Sequence, residues 1–246
     1  MKLSPNQRII VALDVATEKE AIELVRTLRD QVGFFKIGLE LFTSIGTNIV
    51  RRITELGGKI FLDGKFNDIP NTIAGASRAA TRLAVNMFNV HAMGGLEMMM
   101  AAVNACQEES TKLQIERPKV LGVTILTSID KATMNKQLGI LGDIETQVVH
   151  LAKLAENAGL DGVIASPQEI EAIRNNLSRP MLIITPGVRP HWAASQDQKR
   201  VMSPSEAISK GASYLVIGRP ITQPPTEIGT PADAAKRIAE EISTVV

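Results

Sequence analysis

Eight short, almost wholly apolar runs punctuate this chain, and longer amphipathic stretches separate them. The runs are Ile9–Asp14, Phe34–Gly38, Lys59–Asp63, Asn86–His91, Val120–Leu126, Gly162–Ala165, Met181–Thr185 and Tyr214–Gly218. Strands this short with so little alternation are buried on both faces, the environment of a parallel sheet covered by helices. The intervening stretches carry helix signals. Ser166-Pro167-Gln168-Glu169, Ser203-Pro204-Ser205-Glu206 and Thr230-Pro231-Ala232-Asp233 each offer a capping hydroxyl, proline at the first helical position and an acid at the third. Gly57-Gly58, Gly159 and Gly211 mark helix ends shortly before the next run.

Eight βα units without a linker or low-complexity stretch predict a single-domain (β/α)8 TIM barrel over residues 1–246, with a doubly wound open sheet as the alternative. Barrels of this kind use roughly 200–250 residues as one domain. The 44% hydrophobic content is enough to fill such a core. A net charge of +1 and 3% aromatic residues argue against a nucleic-acid partner, which calls for a basic face and stacking rings. No apolar run approaches the ~18 residues of a membrane span. The first residues carry no signal-peptide pattern. A single cysteine, Cys106, excludes an intrachain disulfide and fits a reducing compartment, so a cytoplasmic location is expected.

In a parallel barrel the chemistry sits at the carboxyl ends of the strands. The first run ends in Asp14, the second carries Lys36 after two phenylalanines, and the third leads into Asp63-Gly64-Lys65 with Asp68 just beyond. Residues two apart on a strand share a face, which lets Asp63 and Lys65 point together into the barrel mouth. Asp14 or Asp68 alone also reads as a turn residue or helix cap, and Asp63 with Lys65 as a structural ion pair. Lys36, set among buried residues, needs a partner. Together these charges alternate in sign at neighbouring strand ends, and such clusters are candidates for function.

The last two strands run into Thr185-Pro186-Gly187-Val188-Arg189-Pro190 and Gly218-Arg219-Pro220. Glycine admits backbone N–H groups close to an anion and arginine offers a bidentate fork, and loops in these two places commonly bind phosphate in TIM barrels. Each loop alone is also compatible with a glycine turn beside a solvated arginine. His191–Arg200, polar and without clear periodicity, is a candidate lid. Thr127-Ser128 offers hydroxyls to a polar ligand or makes a simple turn. Met98-Met99-Met100 reads as helix packing. His91 and His150 do not pair as metal ligands, and Gly94-Gly95 lacks the spacing of a dinucleotide fingerprint.

Asp63-x-Lys65-x-x-Asp68-Ile-Pro-Asn-Thr72, with Asp14 and Lys36 upstream and the Thr-Pro-Gly-Val-Arg-Pro and Gly-Arg-Pro elements downstream, resembles the orotidine 5′-phosphate decarboxylases from Asp14 to about Gln223. Gly64 and Asn67 stand where that family more often has a larger apolar residue and His. The resemblance implies decarboxylation of orotidine 5′-phosphate to uridine 5′-phosphate in pyrimidine biosynthesis, without metal or organic cofactor. It implies that Lys65 stabilises the C6 carbanion and protonates it, and that Asp63 lies by the departing carboxylate and holds Lys65. Lys36 and Asp68 would complete an alternating Lys-Asp-Lys-Asp catalytic network with Asp63 and Lys65. Lys36 and Asp14 would also reach the ribose, and Thr127 with Ser128 the pyrimidine. Pro186, Arg189, Gln198, Gly218 and Arg219 would complete the substrate site, with Gln198, Gly218 and Arg219 on the phosphate. The resemblance further implies a homodimer whose active sites borrow Asp68 and Thr72 from the partner chain. Competing expectations are a metal-dependent sugar-phosphate enzyme of the same barrel group, a Schiff-base aldolase and a phosphate-binding barrel without catalysis.

Overall fold

Phe34 and Phe35 divide the hydrophobic interior between them, because successive strand residues face opposite sides of a sheet. Phe34 packs with the residues inside a barrel; Phe35 packs outward under the helices. The computed structural model describes residues 3–193 and 202–246. Its strands are β1 (Ile9–Ala12), β2 (Phe34–Ile37), β3 (Ile60–Phe66), β4 (Met87–His91), β5 (Lys119–Val123), β6 (Gly162–Ile164), β7 (Leu182–Pro186) and β8 (Tyr214–Ile217). They pair in sequence order, all parallel, and β8 closes on β1. The expected (β/α)8 barrel is the observed fold, and the open-sheet alternative falls with the closure.

Two apolar layers explain the near-continuous hydrophobic runs. Outward residues such as Val11, Ile37, Leu62, Phe88 and Leu215 join one core with the helices. Inward residues Ile10, Phe61, Met87, Leu121, Ile184, Tyr214 and Val216 fill the barrel. Each large side chain so buried stabilises the fold by roughly 1.5–3 kcal/mol. Near the amino end of the barrel Phe34 meets Tyr214 edge-on, with ring centroids 5.4 Å apart. Two residues further along the same faces the filling turns polar: Lys36 follows Phe34, Asp63 follows Phe61 and Asn89 follows Met87. The interior is hydrophobic at its base and ionic at its carboxyl mouth.

Several boundaries differ from the sequence expectation. β5 ends at Val123, and at Thr124 the hydroxyl donates to the Ile164 carbonyl at 2.8 Å as the chain leaves the sheet. β3 continues to Phe66, with a register shift against β4 between Leu62 and Phe66. Ser203 and Thr230 form capping boxes as expected. Ser166 caps only a short 3-10 turn, Pro167–Glu169, where its hydroxyl accepts from the N–H of Gln168 instead of that of Glu169. Met98 and Met99 pack into the core while Met100 faces out. No described helix is long and apolar enough to cross a membrane.

Candidate active site

Parallel pairing of β1, β2 and β3 brings three strand ends side by side, and their charges meet there. The Lys36 ammonium lies 3.1 Å from Asp14 Oδ1 and 3.3 Å from Asp63 Oδ2. The other Asp63 oxygen, Oδ1, accepts from Lys65 Nζ at 2.7 Å. Asp14, Lys36, Asp63 and Lys65 thus form a chain of alternating sign. Its centre is deep: Lys36 and Asp63 are 9% and 8% exposed. A carboxylate so placed persists only with full compensation. Burial alone would push the Asp63 carboxyl up; Lys36, then the hydrogen bond and charge of Lys65, and the Asn89 amide outweigh it and hold the group below the ordinary carboxylate range.

Lys65 and Asp63 do not meet by simple strand alternation. Lys65 has φ 47°, a left-handed conformation that is uncommon for a residue with a Cβ, at the point where β3 shifts register. Its N–H donates to Asn89 Oδ1 at 2.7 Å. Asn89 Nδ2 in turn donates to Asp63 Oδ1 at 2.7 Å. Asn89 is a residue that sequence reading missed; the only signal was an amide inside an apolar run. His91, next on the same face of β4, is depressed in pKa by burial and by the Lys65 charge, with Asp63 opposing. It therefore adds no cation to the array near neutral pH.

Two adjoining hollows open above this array. One, of about 180 Å³, is bounded by Lys36, Asp63 and Lys65 and by an apolar wall that includes Val123, Ile125 and Ile164, with Thr127 at its edge. The other, of about 390 Å³, has Asp14 and Lys36 on one side and Arg189, Gly218 and Arg219 on the other. Lys36, Pro186 and Val216 border both, so the two form one continuous cleft. Glycine keeps its walls close: a Cβ at Gly38 would stand 2.9 Å from Lys36 Nζ, and Gly187 turns the loop after β7 with φ 79°. The charged base, apolar wall and arginine-bearing end match a flat ring joined through a polar linker to an anion.

Most residues singled out from the sequence converge here: Asp14, Lys36, Asp63, Lys65, Thr127, Pro186, Arg189, Gly218 and Arg219. Ser128 is exposed beside Thr127 but does not border the cleft. Gln198 and residues 194–200 of the expected lid lie outside the described residues. Asp68 and Thr72 stand apart from the array of their own chain. The Asp68 carboxylate accepts from the N–H of Ile69 at 2.6 Å, and Asp68 and Thr72 are both exposed at the start of the helix Pro70–Arg82. Ile69 beside them is 66% exposed.

The chain is similar to known proteins over nearly its whole length. Residues 7–238 match the model of the family described as orotidine 5′-phosphate decarboxylase / HUMPS. The chain is 49% identical over 245 residues to an orotidine 5′-phosphate decarboxylase of Moorella thermoacetica, covering 100% of this chain and 96% of that protein. It is 51% identical over 236 residues to the enzyme of that name from Geobacter sulfurreducens, covering 96% of each. Among solved structures, the orotidine 5′-phosphate decarboxylase of Lactobacillus acidophilus superposes with a TM-score of 0.83 at 35% identity, covering 95% of this chain and 98% of that one.

Proposed function

The chain belongs to the orotidine 5′-phosphate decarboxylase / HUMPS family, and we propose that it decarboxylates orotidine 5′-phosphate to uridine 5′-phosphate, a step of pyrimidine biosynthesis, using its own side chains alone. The observation that carries this is the Lys65 ammonium held 2.7 Å from a buried carboxylate at the floor of the cleft. Loss of carbon dioxide from C6 leaves an electron pair in the plane of the pyrimidine, where it cannot spread into the π system. Such an anion is stabilised by charge already in place before the bond breaks. In this reading Lys65 supplies that charge and then transfers its proton to C6, while Asp63 keeps the ammonium in position. Carbon dioxide leaves with the carboxylate carbon, and Lys65 regains a proton from solvent.

The remaining assignments follow the shape of the cleft. Lys36 borders both hollows and Asp14 stands beside it on the larger one, where a ribose would join ring to phosphate. Gly218 and Arg219, with Arg189, hold the phosphate, and Thr127 meets the pyrimidine next to Pro186; Gln198 is assigned to the phosphate by the family resemblance alone. Asp68 and Thr72 face away from their own array; Ile69 beside them leaves apolar surface exposed, and so do Met93, Leu96 and Met100 around the start of the helix Leu96–Leu113, which packs on the helix Pro70–Arg82. This supports a homodimer in which each chain lends Asp68 and Thr72 to its partner's site. A reducing, cytoplasmic setting suits the buried free thiol of Cys106.

The direct test is loss of orotidine 5′-phosphate absorbance on adding purified protein with a chelator in excess. Turnover is expected to survive chelation; dependence on a divalent ion would favour the sugar-phosphate branch of the family instead. The phosphate grip makes a second expectation. Arg219→Ala removes a charge-assisted contact worth roughly 1.5–3 kcal/mol, so kcat/KM is expected to fall between about tenfold and about 150-fold. Binding energy from the remote phosphate is used at the reacting carbon. Orotidine, which lacks the phosphate, is then a very poor substrate for the unaltered chain. Equal efficiency on nucleoside and nucleotide would refute the assignment of this end of the cleft.

A further inference from the structure

Resting on the decarboxylase reading, we infer that Asn89 is a positioning residue for the reaction: its one amide group aligns the Asp63 carboxylate and the backbone that carries Lys65. Asn89 is fully buried, at 0% exposure, and both ends of its amide are engaged inside the array. The NH2 group donates to Asp63 Oδ1, the same oxygen that accepts from Lys65 Nζ, while Lys36 faces Oδ2. The amide oxygen accepts the Lys65 N–H. The opposite orientation of the amide would set oxygen against carboxylate and NH2 against N–H, so these partners determine which way it lies.

The chemistry of the position singles out this residue type. It needs a donor for an anion and an acceptor for an N–H, on a side chain short enough to sit level with both. It also must stay neutral. A carboxylate at position 89 would lie at hydrogen-bond distance from Asp63, and two carboxylates so close cannot both remain ionised. An aliphatic side chain would leave the Asp63 oxygen with one partner fewer and the Lys65 N–H buried without an acceptor. The Lys65 backbone sits at φ 47° in a bulged strand, a conformation held by its surroundings rather than by its own preference. Asn89 is the side chain that meets that N–H. Without it the lysine would lose its anchored starting point and Asp63 one of its two constraints on Oδ1.

The charged or titratable groups around position 89 are Lys36 on β2, Asp63 and Lys65 on β3, His91 on β4 and Asp14 beyond β1. They make Asn89→Asp a sharp probe. In its protonated form an aspartic acid at this position reproduces the amide, its O–H donating to Asp63 and its carbonyl accepting from Lys65. In its ionised form it repels Asp63 and donates nothing. The kcat of Asn89→Asp relative to the unaltered chain is therefore expected to rise at least about tenfold between pH 8 and pH 5. Asn89→Ala removes both bonds at every pH. Its kcat is expected to fall about 100-fold, the effect of an ångström-scale misplacement, while KM and uridine 5′-phosphate affinity stay within a few-fold. Asn89 also helps keep Asp63 ionised, so the Asn89→Ala ratio to wild type does not rise toward acid pH.

Turnover, nucleotide affinity and these ratios are measured on the intact protein. An Asn89→Ala chain that binds nucleotide and keeps kcat within threefold of the unaltered protein overturns the positioning role alone, and so does an Asn89→Asp ratio that is flat with pH. An unaltered chain without turnover overturns the decarboxylase reading and this role with it.

Discussion

Lys65→Ala is expected to lower turnover of orotidine 5′-phosphate by at least about 10⁴-fold. Removing one preorganised donor at a developing anion costs about 10²–10³ in rate, and losing a positioned proton source about 10²–10⁴. Lys65 supplies both in the proposed mechanism. Nucleotide affinity should change far less, because the contacts around Arg189, Arg219, Lys36 and Asp14 remain. Lys65→Arg is not expected to restore activity: a guanidinium holds its proton too firmly to pass it to carbon, and its planar fork does not fit the single short contact to Asp63. Steady-state rates on purified variants, with uridine 5′-phosphate binding measured beside them, check both statements. Turnover near the unaltered rate in Lys65→Ala would sink the mechanism while leaving the binding site standing.

A mixed dimer of two dead chains is expected to be alive. If each active site takes Lys65 from one chain and Asp68 from the other, the Lys65→Ala and Asp68→Ala homodimers are both nearly inactive. In the mixed dimer one site has lost both groups and the other keeps both. Random re-pairing of equal amounts makes about half the dimers mixed, each with one good site, so activity should return to about a quarter of the unaltered level. The structure motivates this test, since the Asp68 carboxylate accepts from the N–H of Ile69 and lies exposed beside the 66%-exposed Ile69. Subunit exchange is followed independently with labelled chains. Confirmed exchange with no recovered activity rules out the shared site, and Asp68 is then a turn residue at the start of its helix.

Acid pH acts on the same array. Asp63 has its carboxyl held below the unfolded range, so its contribution to stability is present above the unfolded carboxylate pKa and is lost as pH falls through the depressed folded value. Activity that needs the Asp63 anion should fail over that acid range.

Lys36 was conspicuous because a cation inside Phe-Phe-Lys-Ile breaks a run that otherwise fits a doubly buried strand. Asp63, Lys65 and the two arginines stood out for the same reason, as polar residues just past apolar runs. Local pattern carries that information: strand periodicity, capping hydroxyls and stop glycines are all properties of neighbours in the chain. The sequence by itself therefore determined eight parallel strands, a barrel, and which strand ends hold the charges. It did not determine which charges touch. That Lys36 lies between Asp14 and Asp63, while Asp68 stands outside the array, depends on the stagger of β1, β2 and β3 and on the register shift between Leu62 and Phe66. The positive φ of Lys65 and its tie to Asn89 depend on how β4 lies against that shift. An asparagine within Met87–His91 reads the same in sequence whether its amide faces a carboxylate or a helix. Periodicity is written within each element, but register between elements arises only when closure of the barrel packs all eight strands at once, and that step decided the geometry of the site.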